Sequence, residues 1–251
     1  GAGGGSTGQG GMGQGGEGTG GNKTAAQCFK DTYWAVQPKY DQFKPVIGSH
    51  CLGTNHQDIS GIERVVFLGD SITEGTFPTP AQSVYRQLLS KKLEAKFPGV
   101  QIDECAVNGA RVKDFLSGDN QIAKCFPGPE PKKTLVIMTM GGNDVVRWAE
   151  KKTPQAEALK DADAIAATFR EAIEWFYKDK AQFPKGVNVV FSNVYEYTDG
   201  TGDLSSCVGA QVIGLGGNYF EGAPVLSYLN EQYMRIAVET GTDMLFMLEN
   251  F

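Results

Sequence analysis

The sequence predicts an α/β protein of three layers, in which helices cover both faces of a parallel five-stranded sheet. The first observation is a set of five short segments of strand length along the chain, largely apolar except for the second, in which apolar and polar residues alternate. The second is that apolar residues recur at helical spacing between those segments. Because strands that are apolar on both faces must be covered on both sides, this alternation indicates a parallel sheet between two helical layers.

The individual elements follow from the local pattern. The strand-length segments are residues 64–69, 100–105, 134–140, 187–193 and 244–248. Helical spacing of apolar residues predicts a helix over 83–97 and a long helix whose apolar stripe runs from Leu159 to Phe176. Pro224 is typical of a first helical position and predicts a last helix before the fifth strand.

Composition divides the chain into three parts. Residues 1–22 include 13 glycines and almost no apolar side chains, so we predict a flexible tether. Residues 23–61 are aromatic and irregular, and we interpret them as an N-terminal extension that wraps the core, with Cys28 and Cys51 as a candidate disulfide. Residues 62–251 would form the core domain.

Charge, hydropathy and cysteine content narrow the function classes. The net charge of -6 argues against nucleic-acid binding, which needs an excess of basic residues. No apolar run approaches the roughly 18 residues that a membrane span needs. The five cysteines include no C-x-x-C pair, so we favour the disulfides of an exported protein over free buried thiols. An odd number leaves one cysteine without a partner in the chain.

Small and polar residues follow three of the predicted strands. They occupy residues 69–71, 105–110 and 140–144. Because sites in open parallel sheets form beyond the carboxyl ends of the strands, we expect these three segments to converge.

Each segment suits a part of acyl transfer. Ser71, in the turn after the first strand, is the candidate nucleophile. Its attack on a carbonyl creates an oxyanion, which needs hydrogen-bond donors already in place. The N–H groups of Ser71 and Gly109 and the side-chain amide of Asn143 are the candidate donors. A glycine at 109 also lets the backbone approach a substrate closely.

Three motifs resemble the first three sequence blocks of the SGNH, or GDSL-type, hydrolase superfamily. They are residues 69–72, 108–110 and 141–144, in this order and each after a predicted strand. The resemblance covers about residues 62–251. It implies a flavodoxin-like sheet and an esterase or lipase, with Ser71 as nucleophile and an oxyanion hole completed by Gly109 and Asn143.

The sequence departs from this family in one respect. Members carry Asp-x-x-His near the C-terminus, where the histidine is the general base and the aspartate orients it. The two histidines here, His50 and His56, both precede Ser71, and we interpret His56 as a surface residue. We therefore expect the general base beyond residue 251, on polypeptide that was removed or on a separate C-terminal fragment. Without it, a triad enzyme keeps only about 10³ to 10⁴ of its acceleration over water.

The expected substrate is a small-molecule ester or an acylated carbohydrate or lipid, and we expect no cofactor and no metal. Residues 195–203 include acidic side chains near glycines, but without the spacing of a calcium loop. The rival interpretation is a non-catalytic binding module that has lost its histidine. A flavodoxin-like nucleotide binder is disfavoured because the phosphate-loop lysine and G-x-G-x-x-G are missing. We expect a secreted protein or one tethered to a bacterial cell envelope.

Overall fold

A computed structural model describes residues 56–75, 79–194, 202–206, 210–211 and 214–245. Its sheet has five strands, all parallel: β1 (Arg64–Gly69), β2 (Gln101–Glu104), β3 (Thr134–Thr139), β4 (Val187–Ser192) and β5 (Asp243–Leu245). Their spatial order is β2-β1-β3-β4-β5. This is the flavodoxin-like order, so the predicted sheet is confirmed.

The helices of the described residues are α1 (Ser71–Glu74), α2 (Tyr85–Lys96), α3 (Gln121–Cys125), α4 (Gly142–Lys151), α5 (Gln155–Lys178) and α6 (Gly222–Thr240). Short 3-10 turns occupy Ala81–Ser83, Val112–Phe115 and Leu204–Ser206. Both α1 and α3 are single turns, whereas α5 and α6 are the long helices of one layer.

Two hydrophobic clusters lie on opposite faces of the sheet. Val66 and Leu68 of β1 belong to the larger cluster, which includes residues of α5 and α6. Val65 and Phe67 of the same strand belong to the smaller cluster, which includes Leu93 of α2. Because alternate residues of a strand point to opposite faces, this division confirms the three-layer arrangement.

Several boundaries differ from those that the sequence predicts. The second strand is shorter, and the last helix begins at Gly222, two residues before Pro224. Helices α3 and α4, the latter opened by residues 142–144, are additional to the predicted ones. A single turn has too few apolar positions to show a helical period, which is why α3 escapes the pattern. The fifth strand is described over Asp243–Leu245, and residues 246–248 lie outside the described part.

Residues 1–55 also lie outside the described part, so the tether, most of the extension, His50 and the pair of Cys28 with Cys51 stay predictions. The same holds for Cys207 and for residues 195–201. Within the described ranges, none of the helices combines the length and the apolar character that crossing a bilayer requires.

Candidate active site

The turn that carries Ser71 is built by the residue before it. Asp70 caps α1: its Oδ1 accepts a hydrogen bond from the N–H of Ile72 at 3.0 Å. The backbone oxygen of Asp70 accepts from the N–H groups of Thr73 at 3.1 Å and Glu74 at 2.9 Å. Ser71 is therefore the first residue of a tightly bonded turn, directly beyond the carboxyl end of β1, as predicted.

Gly69 allows β1 to end this close to β3. Its φ of +153° lies where side chains are disfavoured. A Cβ at this position would lie 2.6 Å from the carbonyl oxygen of Thr139 and 2.6 Å from Oγ1 of Thr73. Any other residue would push the start of the Ser71 turn away from the sheet.

Asp70 is a buried carboxyl group beside the candidate nucleophile. Only 4% of the residue is exposed. Loss of solvation on burial, with a smaller contribution from the nearby charge of Asp144, raises the pKa of Asp70 to about 6. Its Oδ2 lies 3.8 Å from the position of a Cβ on Gly142, the first residue of α4. The Ser71 turn and the start of α4 are thus in close proximity.

The second predicted segment, residues 105–110, continues alongside β1 beyond the end of β2. The N–H of Cys105 donates to the oxygen of Phe67 at 2.9 Å, and that of Val107 donates to the oxygen of Gly69 at 3.0 Å. The chain then turns through Gly109, which has a φ of +75° and is exposed. Glycine at this position therefore also satisfies a left-handed backbone conformation.

The third predicted segment, residues 140–144, forms hydrogen bonds that hold the second segment in place. Asn143, in the first turn of α4, donates from Nδ2 to the oxygen of Ala110 at 2.8 Å. Oδ2 of Asp144 accepts from the N–H of Val112 at 3.0 Å. Burial raises the pKa of Asp144 to about 6, while the hydrogen bond from Val112 opposes the shift. Asp144 thus braces the neighbouring loop.

The structure therefore brings the three predicted segments together at one edge of the sheet. Neither the N–H of Ser71 nor that of Gly109 donates to a protein group within the described ranges. The amide of Asn143 uses one N–H on Ala110 and has a second. These groups can donate to an atom placed between them.

His56 lies elsewhere. Its Nδ1 is 2.7 Å from the oxygen of Thr242, and its N–H donates to Asp243 at the start of β5. Strand β5 is separated from β1 by β3 and β4, so His56 is three strand spacings, roughly 14 Å, to the side of the Ser71 strand. It also lies beside the amino end of its strand, whereas Ser71 follows the carboxyl end of β1. His56 is exposed and distant from Ser71, as we expected of a surface residue.

Sequence reasoning missed four residues that shape the site. The amide of Gln121 bonds the backbone of Gly69, and the hydroxyl of Tyr233 donates to the oxygen of Met140 at 3.1 Å, beneath Gly141. The hydroxyls of Thr73 and Tyr85 are 2.6 Å apart beneath the Ser71 turn. Gln121 and Tyr233 are far in sequence from the strand ends that they contact, and no motif marks them.

A disulfide joins two parts of the site. Cys105, just after β2, is bonded to Cys125, the last residue of α3, with Cα atoms 6.3 Å apart. It closes a loop that contains Gly109 and Gln121. Disulfide bonding was predicted for this chain, although the sequence did not predict this pair.

Three solved structures with a similar fold share less than a fifth of their residues with this chain. A member of the lipolytic G-D-S-L family from Veillonella parvula is 17% identical, with 74% of this chain and 78% of that chain covered and a TM-score of 0.47. Phospholipase A1 from Streptomyces albidoflavus is 19% identical (73% and 78% covered, TM-score 0.45). An extracellular lipase from Streptomyces rimosus is also 19% identical (75% and 81% covered, TM-score 0.46).

No curated protein matches the chain. The family model described as GDSL-like lipase/acylhydrolase matches residues 67–245, which include Ser71, Gly109 and Asn143. That match extends over most of the chain, from the second half of β1 to the end of the described part of β5. The chain therefore belongs to the GDSL-like lipase/acylhydrolase family of carboxylic ester hydrolases.

Proposed function

We propose that this protein hydrolyses a carboxylic ester through an acyl-enzyme on Ser71. The observation that carries the proposal is the meeting of three strand ends around one serine. Two backbone N–H groups there, on Ser71 and Gly109, have no protein acceptor within the described ranges. Such preorganised donors are what an oxyanion requires.

In the proposed reaction, Ser71 Oγ attacks the carbonyl carbon of the ester and its proton passes to a general base. The oxyanion of the tetrahedral intermediate accepts hydrogen bonds from the N–H groups of Ser71 and Gly109 and from Asn143 Nδ2. Collapse of the intermediate breaks the bond to the alcohol, which leaves with the proton from the base. Water then attacks the acyl-enzyme by the same steps and releases the acid.

The general base of this mechanism is a histidine that the described residues do not supply. His56 is excluded by its position beside β5, roughly 14 Å to the side of the Ser71 strand. We infer that the base lies outside the described residues. Deprotonation of Ser71 would then depend on that histidine, and acyl transfer without it would be slow.

The proposed substrate class is an ester of small size or an acylated carbohydrate or lipid. We also propose that the protein acts outside the cytoplasm, as a secreted or envelope-tethered enzyme. The disulfide between Cys105 and Cys125 supports this location, because such bonds persist mainly in oxidising compartments.

A fluorophosphonate probe followed by peptide mapping tests the proposal on the native full-length protein. Ser71→Ala is the test variant, and Ser60→Ala, at an exposed serine before β1, is the matched control. We expect an adduct on Ser71 in the wild type and in Ser60→Ala, and none in Ser71→Ala. An adduct on a different residue contradicts the proposal. A folded wild-type protein without any adduct would favour the binding module instead.

A further inference from the structure

The side-chain amide of Gln121 takes the place of a strand-to-strand hydrogen bond of the sheet, next to the Ser71 turn. In a parallel pair, the N–H and C=O of alternate residues bond to the neighbouring strand. At Gly69 the C=O accepts from Val107 at 3.0 Å, as β2 would supply it. The N–H of Gly69, however, donates to Oε1 of Gln121 at 3.0 Å, and Nε2 of Gln121 donates to the oxygen of Gly69 at 2.8 Å.

This pair of bonds fixes both peptide groups that flank Gly69. Gly69 has no side chain to pack, so its unusual φ is set by what its N–H and C=O are bonded to. The peptide group after Gly69 leads directly into Asp70 and Ser71. Rotation about Gly69 would therefore move the serine hydroxyl relative to the N–H of Gly109.

Gln121 is itself held firmly. It is completely buried and is the first residue of α3. The cap residue Asn120 accepts from the N–H of Ala123 at 3.2 Å, and the last residue, Cys125, is bonded to Cys105. The amide therefore connects the Ser71 turn to the same covalent loop that carries Gly109.

Burial makes these bonds costly to lose. A buried N–H or C=O without a hydrogen-bond partner destabilises the conformation in which it is unpaired. Without the amide, the backbone of Gly69 would rotate to find other partners. The Ser71 turn would rotate with it.

We propose that Gln121 is a positioning residue for the nucleophile: it keeps the Ser71 turn in register with the Gly109 loop. This inference rests on the proposed function of Ser71. It adds a residue that does not touch the substrate and acts through the backbone of Gly69.

The chain offers a matched control in Gln57. Its Nε2 donates to the oxygen of Val189 at 2.7 Å, and its Oε1 accepts from the N–H of the same residue at 3.1 Å. It therefore makes the same pair of bonds to one residue of β4, beside the start of β5 and away from Ser71. Gln57→Leu removes this pair of bonds, and also the bonds of Gln57 to Asp243, Tyr177 and Asn188, without touching the site.

The experiment measures fluorophosphonate labelling of Ser71 and ester turnover in the full-length wild type, Gln121→Leu and Gln57→Leu. We expect Gln121→Leu to lower the labelling rate and kcat about tenfold to a hundredfold, with KM within twofold, because a misplaced reacting group costs about this much. Gln57→Leu should stay within twofold of the wild type. Wild-type rates in Gln121→Leu, or an equal loss in both variants, would overturn the inference.

Gln121→Glu separates positioning from general damage to the fold. A protonated glutamic acid can donate to the oxygen of Gly69 and accept from its N–H, whereas the carboxylate can only accept. The labelling rate of Gln121→Glu relative to wild type should therefore rise as the pH is lowered. A ratio that does not change with pH argues against the proposed role.

Amide hydrogen exchange provides a readout that does not depend on catalysis. The N–H groups of Thr73, Glu74 and Gly75 close the Ser71 turn. In Gln121→Leu they should exchange faster than in Gln57→Leu and in the wild type. If the fluorophosphonate does not label the wild type but these amides exchange faster in Gln121→Leu, the proposed function fails while the positioning by Gln121 stands. Equal protection of these amides in both variants would refute the positioning.

Discussion

Replacing Asp70 by asparagine should change how the stability of the protein depends on pH. The carboxyl group is buried next to Ser71, and its pKa of about 6 compares with an ordinary value of 3.8. Asparagine keeps the Oδ1 that accepts from Ile72 but carries no charge. The variant therefore removes the buried charge and preserves the cap of α1.

The size and sign of the change in stability follow from the raised pKa of Asp70. The difference of about two pKa units between the folded and unfolded states corresponds to about 3 kcal/mol of free energy of unfolding. Because the folded state binds the proton more tightly than the unfolded state, ionisation of Asp70 reduces stability as the pH rises from about 4 to about 6. Above that window the whole cost is present, and below about pH 4 it is absent. Asp70→Asn should therefore match the wild type near pH 4 and exceed it by about 3 kcal/mol at pH 7.

Urea denaturation of both proteins between pH 4 and pH 8 measures this difference. Asp161→Asn, at an exposed aspartate of α5, is the control and should follow the wild-type curve. Groups that do not interact with Asp70 titrate in both proteins and cancel in the comparison, so a difference that grows with pH belongs to Asp70 and its interaction with Asp144. Parallel curves for Asp70→Asn and the wild type would refute the reasoning. They would mean that Asp70 is not a desolvated carboxyl group in the folded protein.

Three further outcomes follow from the site. Asn143→Ala should lower kcat for ester hydrolysis by about 10² to 10³ with little change in KM, since one oxyanion donor is lost; an unchanged kcat removes Asn143 from the mechanism. Replacing Cys105 and Cys125 together by serine should lower the free energy of unfolding by about 3 kcal/mol in urea denaturation; equal midpoints would show that the disulfide does not stabilise the fold. His56→Ala should keep ester turnover within twofold, because His56 is bonded beside β5, and a loss beyond tenfold would identify it as the base.

The sheet and the three converging segments could be predicted because their signals are local. Each strand is a short apolar run, and the carboxyl ends of parallel strands must share an edge. Ser71, Gly109 and Asn143 follow strands directly, so their convergence is a consequence of the topology. Identifying these three residues as site candidates therefore needs no knowledge of side-chain packing.

The remaining parts of the site depend on contacts between distant segments. Gln121 is 52 residues from Gly69, in a stretch with no strong period, and its role appears only once α3 lies beside β1. The apolar pattern of α6 indicates only that Tyr233 is a core residue. Its hydroxyl in fact donates to the backbone oxygen of Met140, next to Gly141. No helix was predicted over α4, which Gly142 and Asn143 open directly after the third strand segment.

A crystal structure of the full-length protein with a phosphonate bound to Ser71 tests the central claim most directly. We predict that the phosphoryl oxygen lies 2.7 to 3.1 Å, roughly the span expected of oxyanion donors, from the N–H nitrogens of residues 71 and 109 and from Nδ2 of Asn143. A phosphoryl oxygen that points into solvent, away from all three, would contradict the account.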